Sequence, residues 1–104
     1  MGKKTSPDIK QLRAIGHKLR PVVTVAGNGL SESVVAEIDR ALEQHELVKI
    51  KLAVGSREAK AAVGEELCER TGSEIVQRIG NIVLVLRRSA SPDPRLSNLI
   101  RAQD

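Results

Sequence analysis

The chain has 104 residues, with 17 Lys and Arg against 13 Asp and Glu, a formal charge of +4 and a pI of about 9.6. Apolar residues make up 40% and charged residues 29%, the profile of one folded domain rather than a disordered tail. Phe, Tyr and Trp are absent, which excludes proteins that read single strands by stacking bases on aromatic rings and leaves Val, Ile, Leu and Ala to build the core.

A single cysteine, Cys68, can form neither an internal disulfide nor a paired metal knuckle, which fits a reducing cytoplasm. No apolar run approaches the roughly 20 residues of a membrane span. The basic N-terminus, residues 1–5, is not followed by the apolar stretch of a signal peptide. These features predict a cytoplasmic location.

Ser6-Pro7-Asp8 predicts a helix start, with Ser6 as N-cap, Pro7 at the first helical position and Asp8 in the first turn. Ile9, Leu12, Ile15 and Leu19 then recur at helical spacing until Pro21, and Lys10, Arg13, Lys18 and Arg20 make the outer face basic. Val22 to Ala26 reads as a short strand, followed by the tight loop Ala26-Gly27-Asn28-Gly29. Ser31 caps a second helix, with Leu30 placed to staple onto Val35. Its apolar stripe is Val34, Val35, Ile38, Ala41 and Leu42, and Glu32, Glu37, Asp39, Glu43 and Glu46 lie on an acidic exterior.

Leu47 to Val54 alternates, with Val48, Ile50, Leu52 and Val54 on one face and Lys49 and Lys51 on the other. Gly55-Ser56 leads into a third helix, whose stripe is Ala59, Ala62, Val63, Leu67 and Cys68 and whose stop is Thr71-Gly72. Two strands, Glu74–Ile79 and Ile82–Arg88, flank the hairpin signal Gly80-Asn81. Residues 89–104 read as a flexible tail in which Leu96, Leu99 and Ile100 could form a short docking turn. The order α-β-α-β-α-β-β predicts an α/β two-layer sandwich with a four-stranded mixed sheet, one face carrying lysines and open.

Charge is segregated along the chain. Residues 1–24 carry +5, 25–48 carry −4, 49–62 carry +3, 63–74 carry −3 and 75–104 carry +3. Blocks of this kind serve as solvated faces in many proteins, but alternation over several elements builds a basic surface suited to a polyanion. Two glycine-bearing loops, at Gly27-Asn28-Gly29 and at Gly55-Ser56, end the two strands expected to be parallel, and each precedes a helix N-terminus. Exposed backbone N–H groups at that edge suit a phosphate, with Arg57, Lys60 and Arg78 nearby. A tight turn requiring positive φ explains the same glycines. The loop is neither a Walker A motif nor a dinucleotide fingerprint, since no Gly-Lys-Ser/Thr follows and Glu32 stands where the third glycine would be.

The run His17-Lys18-Leu19-Arg20-Pro21-Val22-Val23 followed by Gly27-Asn28-Gly29-Leu30-Ser31 resembles the YhbY-like proteins, which carry a single CRM (chloroplast RNA splicing and ribosome maturation) domain. Glu37-Ile38, Ala41-Leu42, His45-Glu46-Leu47, Lys49-Ile50-Lys51, Arg57-Glu58, Thr71-Gly72, Gln77 and Ile79-Gly80 extend the resemblance over residues 6–88. It implies a fold similar to the C-terminal domain of translation initiation factor three. It further implies RNA binding on precursors of the large ribosomal subunit, with a GxxG loop at Ala26–Gly29. The sequence departs from that pattern at the first glycine, which here is Ala26.

The candidate RNA-binding residues are therefore Gly27, Asn28 and Gly29 for backbone approach, and Lys18, Arg20, Lys49 and Lys51 for charge. Arg57, Lys60, Arg78, Arg87 and Arg88 are further candidates. His17, beside Lys18, could contact phosphate, although partial burial where the first helix ends is the leading expectation, and His45 is expected to answer the dipole at a helix C-terminus. Neither has neighbours at metal-ligand spacing, and Cys68 reads as a core residue. No cofactor, metal or catalytic constellation is evident, and a monomer is expected. A non-catalytic binder of ribosomal RNA is the leading reading. A protein adaptor using the acidic helix faces and a small enzyme acting on a phosphorylated ligand are the alternatives.

Overall fold

A computed structural model describes residues 8–27 and 29–101. The first helix, α1 (Ile9–His17), starts at Asp8, not at Ser6; Ser6 and Pro7 lie outside the described residues. The Asp8 side chain accepts the Gln11 N–H at 2.8 Å and the Gln11 side chain accepts the Asp8 N–H at 2.8 Å. This reciprocal box satisfies two N–H groups that the helix itself leaves unpaired. β1 (Pro21–Val25) and α2 (Glu32–His45) follow, with the Ser31 hydroxyl capping the Val34 N–H as expected. β2 (Leu47–Leu52) leads to α3 (Arg57–Thr71), capped by Ser56 and closed by Gly72 at φ 68°. β3 (Glu74–Ile79) and β4 (Ile82–Leu86) form the hairpin, and a short α4 (Asn98–Arg101) ends the described chain.

The sheet order is β1-β2-β4-β3. β1 and β2 are parallel, while β4 is antiparallel to both β2 and β3, so the sheet is mixed, as the α/β reading requires. On one face Val23, Val25, Val48, Ile50, Leu52, Val83 and Val85 pack with Ile38 and Leu42 of α2 and Leu67 of α3. Of the predicted α3 stripe, Val63, Leu67 and Cys68 join this core, whereas Ala62 is exposed.

The opposite face is not open throughout. Leu47, Val76, Leu84 and Leu86 point to it and meet Leu12 of α1 and Leu99 of α4, with Ile15 and Leu19 at the margin. Over that half of the sheet the expected two layers become three. The cause is visible in β4, Ile82-Val-Leu-Val-Leu86, whose unbroken apolar run is the pattern of a strand covered on both sides. The other half, carrying Lys49 and Lys51, is not covered by any helix among the described residues.

Gly16 sets how closely α1 lies on the sheet. A Cβ built there would fall within 2.8 Å of Leu84 Cδ1, well inside contact distance, and Leu84 is itself buried in the central strand.

Residues 89–101, expected to be flexible, are docked along the end of the sheet. Glu46, the one non-glycine residue of positive φ among the described residues (64°), is buried at the end of α2. Its carboxyl oxygens accept the Ser97 hydroxyl at 2.7 Å and the Ser89 N–H at 2.6 Å. His45 Nδ1 donates to the Leu96 carbonyl at 2.8 Å, and Asn98 donates to the Leu47 carbonyl at 2.7 Å. Of the predicted docking residues Leu99 is the one that enters the core.

Replacing Gly16 with Ala forces α1 or Leu84 to shift. The expected cost is about 1–3 kcal/mol, read as a lower urea midpoint at unchanged slope.

Candidate nucleic-acid interface

The parallel pairing of β1 and β2 sends both strands out at the same end of the sheet. The β3–β4 turn arrives there too, because β4 runs antiparallel to β2. Two backbone bonds tie the three connections together: Ala53 N–H donates to the Val25 carbonyl at 2.7 Å and Leu52 N–H to the Asn81 carbonyl at 2.6 Å. The Lys60 amine, one turn into α3, donates to the Asn81 side chain.

Ala26–Gly29 closes as a turn in which the Gly29 N–H donates to the Ala26 carbonyl at 2.9 Å. Asn28 lies outside the described residues. Gly29 has φ 80°, a conformation that disfavours most side chains, so the turn explains that glycine. It does not explain Gly27, whose φ is not in that region and where a Cβ would meet nothing within 4 Å. Glycine at 27 leaves open space outside the chain.

Cations approach this end from both sides of the sheet. On the uncovered face Lys51 stands in register between Thr24 of β1 and Ile82 of β4, with Lys49 two residues back beside Leu84. Arg57 is exposed at the first position of α3. On the helix-covered side Arg78 lies against Gly64, its guanidinium 3.0 Å from where a Cβ would stand, one helical turn from Lys60. Lys18 and Arg20 flank the uncovered face farther back: both are exposed, and Arg20 precedes Pro21, which pairs with Lys49. Among the described residues none of these cations forms an ion pair.

Arg87 and Arg88 are not part of this grouping. They follow β4 at the other end of the sheet. Arg87 is committed internally, bonding the Asp39 carboxyl at 2.6 Å, the Asp39 carbonyl at 3.0 Å and the Thr71 carbonyl at 2.8 Å. The same contact engages part of the acidic exterior of α2. His17 is exposed rather than partly buried, and His45 holds the C-terminal segment by its bond to Leu96.

The family model of the CRS1/YhbY (CRM) domain fits residues 5–87. The chain belongs to this family. It is 47% identical over 97 residues to a Pseudomonas aeruginosa protein named as a probable RNA-binding protein, covering 93% of each chain. It is 44% identical over 78 residues to a Haemophilus influenzae protein named as an RNA-binding protein, covering 75% of this chain and 79% of the other. Its fold resembles the solution structure of a Staphylococcus aureus protein described as a candidate RNA-binding protein. That match has a TM-score of 0.72 and 30% identity, and covers 86% of this chain and 93% of the other.

The CRM module also carries the one free thiol, Cys68, on α3. Burial pushes its pKa above the ordinary thiol range, outweighing the opposing effects of a bond with Ser73 and the charge of Arg78. The thiolate is the reactive form, so alkylation of the native protein should require higher pH than alkylation of the urea-unfolded chain. A rate-against-pH curve for iodoacetamide, displaced upward in the native state, is the expected result.

Proposed function

We propose that this CRM-family chain is a non-catalytic RNA-binding protein that engages folded ribosomal RNA of the assembling large subunit. The observation that carries the reading is the convergence of Lys49, Lys51, Arg57, Lys60 and Arg78 on the sheet end where Gly27 leaves unfilled space beside a short turn. Charge supplies affinity for phosphates, and the glycine turn admits the backbone of the RNA close to main-chain N–H groups. With no aromatic side chain in the sequence, recognition rests on backbone and shape rather than on stacked bases, which favours a folded RNA over an extended strand. The names of the Pseudomonas aeruginosa and Haemophilus influenzae relatives support RNA as the partner. The lone, partly buried thiol suits action as a monomer in the reducing cytoplasm.

Filter binding of a structured large-subunit ribosomal RNA transcript tests this. Affinity should fall with salt by a log–log slope of about −0.7 to −0.9 per phosphate neutralised. Reversing both Lys49 and Lys51 to Glu should weaken binding roughly 10- to 100-fold near 0.1 M salt and make the slope shallower by about 1.4 to 1.8. Gly29→Asp should weaken binding more than Gly29→Asn, since both residues tolerate positive φ and only Asp brings a charge to the turn. No affinity at low salt, or affinity indifferent to the lysine reversals, would point to the acidic α2 face as the working surface. Turnover of a phosphorylated metabolite would instead establish an enzyme.

A further inference from the structure

The family match ends at residue 87, yet the chain continues to form α4 against the sheet. Its position is fixed by several independent contacts: the buried Ser97 hydroxyl on Glu46, Asn98 on the Leu47 carbonyl, and Leu99 in the core beside Leu12. This docking places Arg101, the last described residue of α4, over the C-terminal end of α1. Two adjoining grooves result, and both are bounded by Leu19, Asn98 and Arg101. One also takes in Lys18 and the other Arg20.

The grooves therefore combine three cations with a floor of Ile15, Leu19 and the amide of Asn98. Lys18, Arg20 and Arg101 are exposed, and none forms an ion pair among the described residues. The contrast with the rest of the same segment is informative. Arg95 is exposed and paired with Asp93 at 3.6 Å, whereas Arg101 is turned to the groove. The groove also adjoins the uncovered strand face. Arg20 is followed by Pro21, which pairs with Lys49, so Lys49 and Lys51 of β2 extend the cations from the groove toward the glycine turn.

We propose that the C-terminal segment builds a second RNA-backbone subsite, in which Arg101 together with Lys18 and Arg20 holds phosphates of the same RNA that occupies the loop end. This rests on the RNA-binding reading above. It assigns to α4 a contact that the CRM module alone does not contain. Three cations gathered on a platform anchored to the core, continuous with a basic face, suit a folded polyanion.

The test compares three single charge reversals in the full chain, R101E, R95E and K51E, by salt-dependent filter binding of the large-subunit transcript. Circular dichroism melts establish that each variant is folded. R101E should lower affinity and make the log–log salt slope shallower by about 0.7 to 0.9, the loss of one phosphate contact. R95E changes net charge equally on the same segment and should leave the slope unaltered. If R101E and R95E behave alike, the subsite is overturned, whatever K51E does. K51E separates that failure from a failure of the wider reading: a loss in K51E alone keeps the loop-end interface and removes the α4 subsite, while no loss in any variant removes both.

Discussion

The parallel pairing of β1 with β2 is the constraint on which the remaining organisation depends. Two parallel strands joined by a helix must leave the sheet at the same end, and a hairpin whose second strand pairs antiparallel to β2 must turn there as well. Three short connections are thereby held together by main-chain bonds from Ala53 to Val25 and from Leu52 to Asn81. The helices that follow two of them start at serine caps, Ser31 and Ser56. Cationic side chains distant in sequence, Lys51, Lys60 and Arg78, come to one edge.

The two ends of the sheet use polar groups differently. At the end where α2 and β4 finish, they bond inward: Arg87 joins α2 to the close of α3, and Glu46 joins α2 to residues 89 and 97. Glu46 adopts a positive-φ backbone outside the left-handed helical well, a strain of about 1–3 kcal/mol offset by the bonds its side chain and main chain make there. At the loop end the cations lack acidic partners among the described residues, so their charge is directed outward. Polar groups thus close one end of the sheet and leave the other end charged and outward-facing within a single small domain.

Most local structure was legible in the sequence because it is decided by local chemistry. The caps at Ser31 and Ser56, the left-handed Gly72 and the Gly80-Asn81 turn each follow from one or two residues. The start of α1 is ambiguous from local chemistry, since Ser and Asp both cap helices, and the reciprocal bonds with Gln11 settle it at Asp8. What the sequence concealed depends on long-range contacts. Docking of residues 89–101 rests on pairs 51 residues apart, His45 with Leu96 and Glu46 with Ser97. Arg87 looked like a free cation until Asp39 and Thr71 were brought to it. The close approach at Gly16 carries no signal in an ordinary amphipathic helix, although the continuous apolar run of β4 does announce a second covered face.

The most direct measurement of the central claim is backbone amide chemical-shift mapping of isotope-labelled protein titrated with the structured ribosomal RNA transcript. The account predicts shifts concentrated at residues 26–29, 53–60 and 80–82 and along Lys49–Lys51, continuing toward Lys18 and Arg20, with the outer face of α2 unaffected. Shifts confined to the α2 face or to the surroundings of Arg88, with the glycine turn and both lysines silent, would contradict it.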